Sequence, residues 1–362
     1  MRVLQIANNL SPGGAERLLL EMIPLFNARG VTMDLLILNG TRYPYLEALR
    51  SARCCNVYSL GENVSLRNPL LIWKIRRYLR QYDVAHVHLF PSLYWAAIAK
   101  MISFSRTKMV YTEHSTSNRR MRQAWLGAVQ TIIYKQYDRI ICITREVLAA
   151  LQRHTKMDGT TFVVIGNGVN LEKIREARAL PRSDFFDGDV KILLQVSSFQ
   201  EPKDQATLIR ALALLPHNVK LLLVGEGVLK SRCEALVQEL GLGDRVRFLG
   251  LRMDVPQLLK TSDIVILSSK FEGLSLFSIE GMASGRPFIA SDVPGLTEMV
   301  SGAGVLVPSQ NEQALASAVE RLLNDSTYYA AVTNACVAHA QDFDIETMVT
   351  KYVELYAALL RE

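Results

Sequence analysis

The sequence predicts an α/β protein of two parallel-sheet lobes, with ligand sites facing a cleft between them. Three observations carry that expectation. The chain has 362 residues, about two domains at roughly 150 residues each. Short apolar strand candidates alternate with helix patterns, and such runs sit in parallel sheets covered on both faces. The alternation breaks once, at a polar, glycine-marked stretch, and then restarts.

The first series opens with Arg2–Ala7, a short apolar strand, and Asn8–Gly14, a polar turn. Ala15–Arg29 has helical periodicity and stops at Gly30, a residue suited to helix termination. Val31–Leu38, Val84–Leu89, Met109–Thr112 and Arg139–Ile143 are further strands, with helical patterns between them. Val163–Ile165 then runs into Gly166-Asn167-Gly168, and the chain stays polar and irregular to Gly188. The second series has strands at Val190–Val196, Lys220–Val224, Val246–Leu249, Ile264–Leu267, Pro287–Ala290 and Gly304–Val307. Its helices begin near Gln205, Leu229, Asp254, Leu276, Gly295 and Gln310. Asp342–Glu362 is helical and no strand pattern follows it. The expected domains are 1–170, 171–341 and a C-terminal helix, 342–362.

Composition narrows the function classes. Hydrophobic residues at 49% and charged residues at 21% supply real cores and exclude a disordered chain. No apolar run reaches the roughly 18 residues that read as a membrane span. The start, Met-Arg-Val-Leu-Gln-Ile, lacks a secretory pattern. The expected location is the cytoplasm, with the cytoplasmic membrane face as a peripheral contact. The five cysteines include no Cys-x-x-Cys pair, so neither a disulfide framework nor a zinc ribbon is indicated. His86 and His88 share one face of a strand, but a zinc site needs more ligands and none follows nearby. A core or cleft pair is the reading.

Lys plus Arg exceeds Asp plus Glu by 41 to 35, a net charge of +6, which favours anionic partners such as phosphates or acidic lipid. No nucleic-acid module is present, so no nucleic-acid partner is expected. Arg67–Arg80 combines Leu70, Trp73 and Ile75 with Lys74, Arg76, Arg77 and Arg80 in a helix starting near Pro69, and Arg119-Arg120-Met121-Arg122 lies ahead of Trp125. Two readings stand: contact with anionic lipid, or a core-packed helix with a solvated basic face.

Several segments carry candidate chemistry. Gly13 and Gly14 bare the backbone where a helix begins, which suits an anion or simply the turn. Gly225-Glu226-Gly227 lacks the third glycine of a dinucleotide loop, and a tight turn is the better account. His114 ends a strand, where an imidazole meets either a ligand or solvent. Lys203 follows the first strand of the second series, where an ammonium opposes charge on a departing diphosphate or is merely exposed. The densest segment is Phe271–Pro287. Glu272 precedes a glycine turn and Glu280 sits in the following helix. Two carboxylates at one loop mouth suit a polyhydroxyl ligand; general acid–base work and a structural role for Glu280 are the alternatives. The amides of Gly273, Leu274 and Ser275 precede that helix and favour negative charge.

In order and context these segments resemble the GT-B retaining glycosyltransferases of family 4, the glycosyl transferases group 1. Gly13-Gly14-Ala15-Glu16 is similar to the family's N-terminal loop, and Ile165-Gly166-Asn167-Gly168-Val169-Asn170 to its inter-lobe segment. Lys203-Asp204-Gln205, Val224–Gly227 and Val246–Gly250 follow in family order. Glu272 and Glu280 form its Glu-x7-Glu signature, and Ala290–Gly295 continues it. The resemblance covers essentially the whole chain.

The resemblance implies two Rossmann-like lobes, a nucleotide-sugar donor, and a C-terminal helix that crosses back to the N-terminal lobe. It implies that Glu280 binds ribose hydroxyls and Glu272 the sugar's C3 and C4 hydroxyls. Gly273, Leu274 and Ser275 would hold sugar and phosphate oxygens, and Lys203 would neutralise the diphosphate. Gly13 and Gly14 would approach it, His114 would meet the sugar near its C6 hydroxyl, and the loop containing Arg252 would flank the base. Lys203, Glu272 and His114 are thus the expected catalytic set. Ser198 stands where the family usually carries arginine, which replaces a two-bond phosphate clamp by at most one bond. The implied activity is metal-independent, cofactor-free hexosyl transfer with retention. It runs from a UDP-sugar by preference to a saccharide or lipid-diphosphate-linked acceptor. A phosphorylase or epimerase on the same fold, or a non-catalytic nucleotide-sugar-binding protein, is the alternative.

Overall fold

A computed structural model describes residues 1–114, 127–155, 157 and 159–362. The basic cluster Arg119–Arg122 and Trp125 lie outside the described residues. The chain divides into two compact units, 1–168 with 345–362, and 169–344.

The first unit has a seven-stranded parallel sheet: β1 (Arg2–Ala7), β2 (Thr32–Ile37), β3 (Val57–Ser59), β4 (Val84–His88), β5 (Lys108–Glu113), β6 (Arg139–Cys142) and β7 (Phe162–Val164), in the order β3-β2-β1-β4-β5-β6-β7. Every residue of β4, and all but the first of β1, β2 and β5, is buried or nearly so. That is why these strands read as unbroken apolar runs rather than alternating ones.

The second unit repeats the design with β8 (Lys191–Val196), β9 (Val219–Val224), β10 (Val246–Phe248), β11 (Ile264–Leu267), β12 (Phe288–Asp292) and β13 (Val305–Pro308), in the order β10-β9-β8-β11-β12-β13. In both sheets the order reverses beside the first strand, between β1 and β4 and between β8 and β11. The loops leaving those two carboxyl ends diverge and open a crevice, the usual ligand position in a doubly wound sheet.

The last helix, Ile345–Arg361, belongs to the first unit. Tyr352 and Tyr356, one turn apart, pack their rings on Phe26 and on His86 of β4. Arg29 adds an ion pair to Glu346 and a 2.9 Å bond to Thr350 Oγ1.

The helix expected near Pro69 runs Leu71–Leu79. Leu71, Ile75 and Leu79 are buried, whereas Leu70 and Trp73 are 62% and 57% exposed. The Arg76 guanidinium lies 5.0 Å from the centre of the Trp73 ring. The core-packed face and the solvated basic face therefore coexist, and a tryptophan is left on the outside. Among the described residues no helix is long and apolar enough to cross a membrane.

Candidate functional site

At the second unit's switch point the loop after β8 and the loop after β11 are tied together. Asp204 N–H donates to Ser268 O at 3.1 Å and Lys270 N–H to Pro202 O at 2.9 Å. Beneath them the buried Gln195 spans both loops: its Nε2 donates to Ser197 Oγ at 2.9 Å, and its Oε1 accepts from Ser268 N–H at 3.0 Å. This frame brings Lys203 and Glu272, 69 residues apart, into an ion pair in which the two side chains are 18% and 9% exposed. Ser269 Oγ donates to the same carboxylate oxygen at 2.7 Å. A carboxylate held by an ammonium and a hydroxyl keeps its second oxygen for other donors, such as sugar hydroxyls.

Glu272 leads into Gly273, Leu274 and Ser275, all partly buried. Ser275 caps the helix Leu276–Ala283, its Oγ accepting from Ser278 N–H at 3.4 Å. Glu280 lies in the second turn of that helix and is 2% exposed. Its neighbour Gly281 lets the helix sit close to the sheet, since a Cβ there would fall 2.5 Å from the Phe288 ring. Gly295 buttresses the loop from the next connection. It has φ +88, and a Cβ would fall 2.4 Å from Glu272 O. The carboxylate loop is thus shaped by glycines that lie outside it.

The Gly225-Glu226-Gly227 segment has a backbone role. Phe199 N–H donates to Glu226 O at 3.0 Å and Gly225 N–H to Gly250 O at 2.8 Å. Gly225 and Gly227 have φ +137 and +157, and a Cβ on either would fall within 2.3 Å of a carbonyl oxygen, Ser197 O or Phe199 O. Only glycine permits that approach. Ser198, at the position where arginine is expected, is exposed. Arg252 is engaged by Asp254 through a two-pronged contact at 2.7 and 2.5 Å. That bond holds the Asp254 carboxyl below its usual range and raises the guanidinium's affinity for its proton.

A cavity of about 500 Å³ in the second unit also touches Lys203, with Asp204, Arg210, Arg232 and Cys233, but none of Glu272, Gly273–Ser275 or Glu280 lines it.

In the first unit Gly13 is the extended N-cap and Gly14 the first residue of the helix Gly14–Ala28. Across that switch point Asn8 bridges the loops after β1 and β4. Its Nδ2 donates to Phe90 O at 2.7 Å, and its Oδ1 accepts from Ser92 Oγ at 2.7 Å. His86 and His88 do share one face of β4, with ring centres 4.3 Å apart. Sequence alone found no third imidazole near them, but the register of β4 against β5 brings one: His88 Nδ1 lies 3.2 Å from His114 Nε2. The other ends are closed by Gln5 Oε1, 2.7 Å from His88 Nε2, and by Thr112 and Tyr356 on His86. Burial pushes the His86 imidazole down to about 3 and His114 down to about 4, and holds His88 well below its ordinary value. All three are neutral near pH 7. Both ring nitrogens of His86 and of His88 are engaged, as is Nε2 of His114, and among the described residues no group of three or more His, Cys, Asp or Glu could hold a metal ion.

Two family models together tile most of the chain. The one described as Glycosyltransferase Family 4 matches residues 12–173, and the one described as Glycosyl transferases group 1 matches 176–336. A Campylobacter jejuni N-acetylgalactosamine-N,N'-diacetylbacillosaminyl-diphospho-undecaprenol 4-alpha-N-acetylgalactosaminyltransferase is 27% identical over 93% of this chain and 94% of its own. An Escherichia coli UDP-Gal:alpha-D-GlcNAc-diphosphoundecaprenol alpha-1,3-galactosyltransferase is 27% identical over 84% of each. The crystal structure of Anabaena HepE in complex with UDP and glucose matches with a TM-score of 0.85 at 23% identity, covering 99% of this chain and 100% of that one. With two Rossmann-like sheets of this order and two family models in tandem, the chain belongs to the family 4, group 1 glycosyltransferases of GT-B fold.

Proposed function

We propose that this glycosyltransferase moves a hexose or N-acetylhexosamine, with retention, from a nucleotide diphosphate sugar to a saccharide or lipid-diphosphate-linked saccharide. A UDP-sugar is the favoured donor, and no resident metal or cofactor takes part. The observation that carries the reading is the Lys203–Glu272 pair at the β8/β11 switch point. It offers one cation to a diphosphate and one carboxylate to sugar hydroxyls within a single loop frame. The names of the Campylobacter and Escherichia relatives specify undecaprenol-diphosphate acceptors, and HepE holds UDP and glucose.

Glu272 accepts hydrogen bonds from the sugar, and the Gly273–Ser275 amides face phosphate and sugar oxygens. Glu280 takes the ribose hydroxyls, the loop of Arg252 flanks the base, and Gly13 and Gly14 leave room for the diphosphate. In the ligand-free protein Lys203 is neutralised by Glu272. A bound diphosphate shares that ammonium, and positive charge on Lys203 then stabilises the departing group. The bond from the anomeric carbon to the diphosphate oxygen breaks, and the acceptor oxygen bonds to that carbon from the same face. The hydroxyl proton passes to the departing phosphate oxygen. Ser198 contributes at most one hydrogen bond, so Lys203 carries more of the charge than where an arginine assists it.

The test is transfer from a panel of UDP- and GDP-sugars to a short-chain prenyl-diphosphate saccharide, in chelator, with the anomeric configuration of the product read by NMR. An α-linked product from an α-linked donor supports the reading. An inverted product, or turnover that requires added divalent metal, rules it out.

The acceptor's lipid makes a membrane surface a natural partner. Between Glu62 and Asp83 the chain carries five cations, Arg67, Lys74, Arg76, Arg77 and Arg80, and no acid, with Trp73 and Leu70 exposed among them. Co-sedimentation with phosphatidylglycerol vesicles is expected to weaken several-fold on Arg77→Glu with Trp73→Ala, and with rising salt. Equal binding to neutral vesicles would contradict it.

A further inference from the structure

His114 sits at the end of a chain of hydrogen bonds whose polarity can be read from its far end. Gln5 is fully buried in β1. Its amide nitrogen lies 3.4 Å from Met33 Sδ and its oxygen 2.7 Å from His88 Nε2. A thioether sulfur only accepts, so the amide nitrogen belongs on the methionine side and the oxygen on the histidine side. That oxygen only accepts, so His88 Nε2 carries a proton. His88 is 1% exposed, and an unpaired imidazolium there costs far more than a neutral ring. His88 therefore has one proton, at Nε2, and its Nδ1 is a lone pair. The group facing that lone pair at 3.2 Å is His114 Nε2, which must then be the donor. The one proton of a neutral His114 is used at Nε2, and Nδ1 is left bare, with no partner among the described residues.

We propose that Gln5 and His88 are positioning residues that fix His114 in its Nε2–H tautomer, so that Nδ1 accepts a hydrogen bond from a hydroxyl of the bound sugar. The acceptor role rests on the reading that His114 meets the sugar; the tautomer does not. A site of this polarity recognises a hydroxyl by its proton. It rejects a donor in which that hydroxyl is replaced by hydrogen or by fluorine, because neither can donate. A histidine of the other tautomer would donate, and would accept the fluorine analogue more readily than the deoxy one.

The experiment is a long-range proton–nitrogen correlation spectrum of the ligand-free full chain with nitrogen-15 histidine, His114 being assigned from the spectrum of His114→Asn. The expected pattern is a bare Nδ1 and a protonated Nε2 for His114, and the same for His88. A protonated Nδ1 at His114, or averaging between the two forms, overturns the proposal. Gln5→Leu should release the tautomer and raise the donor KM by about three- to tenfold with a smaller change in kcat, as for one neutral hydrogen bond. A single Nε2–H form that survives that substitution overturns the positioning role. The wild-type spectrum decides the tautomer even if the variant fails to fold. Parent donor and its 6-deoxy and 6-deoxy-6-fluoro analogues then test the sugar contact. Comparable losses for both analogues support the acceptor role. Equal binding of all three overturns the contact between His114 and the sugar while leaving the tautomer standing.

Discussion

Lys203 and Glu272 carry the account at the scale of single residues. Removing the cation by Lys203→Ala deprives the departing diphosphate of its fixed charge. The expected loss in kcat is about 10²- to 10³-fold, as for a preorganised oxyanion donor. Glu272→Gln keeps the shape but loses charge-assisted bonds to the sugar and to Lys203, and about 10- to 100-fold in kcat/KM follows. Steady-state transfer kinetics check both, and unchanged kcat in Lys203→Ala would contradict the first. Gly227→Ala tests the frame. Its new Cβ would fall 2.3 Å from Phe199 O at φ +157, so a loss of stability above about 1 kcal/mol is expected, measured by urea unfolding. Sequence found the Glu272–Glu280 segment because its residues are contiguous. It did not find the Lys203–Glu272 pair or the His88–His114 bond. Both depend on which strands are neighbours, and no local spacing encodes that. Arg252, expected in the loop that flanks the base, has its guanidinium held by Asp254 in the ligand-free protein, a bond that the sequence did not reveal.

The element that most governs pH behaviour is β4. It places His86 and His88 in the core beside Tyr356, Tyr352, Thr112 and Gln5, and His114 joins them from the end of β5. Folding lowers their proton affinity, to about 3 for His86 and about 4 for His114, against about 6.5 in the unfolded chain. Between those values the unfolded state binds more protons, so stability falls as pH drops below about 6.5 and is fully present above it. The slope is about 1.4 kcal/mol per pH unit for each such histidine. Chemical denaturation between pH 7 and 4.5 measures it, and a flat profile would contradict the buried neutral cluster. The long strands were legible because burial on both faces leaves uninterrupted apolar runs. β3 was not, because it has three residues, all half-buried. The helix Pro44–Ala52 buries only Leu46 and Leu49, too few to show a period.

For the molecule as a whole, composition and the single break in the pattern were enough to anticipate two sheets. The strand order was not encoded locally, and it is the order that creates a switch point in each sheet. The helix Ile345–Arg361 belongs with the first unit although it follows the second in sequence. It buries Ile345, Met348, Val349, Tyr352, Tyr356 and Leu359. At about 1.5–3 kcal/mol each, these contribute about as much as the net stability of a domain. A chain ending at residue 344 should therefore lose the cooperative unfolding of the first unit, followed by calorimetry or limited proteolysis. An unfolding profile unchanged from that of the full chain would show that the helix is dispensable.

The most direct measurement is calorimetric titration of UDP- and GDP-sugars into the metal-free protein, repeated with Glu280→Ala and Lys203→Ala. The account predicts selective binding of one diphosphate sugar, weakened about tenfold or more by each substitution while the thermal transition of the protein is kept. Absence of binding by any member of the panel to folded protein, or binding that both variants retain at full strength, would contradict a donor site at the β8/β11 switch point.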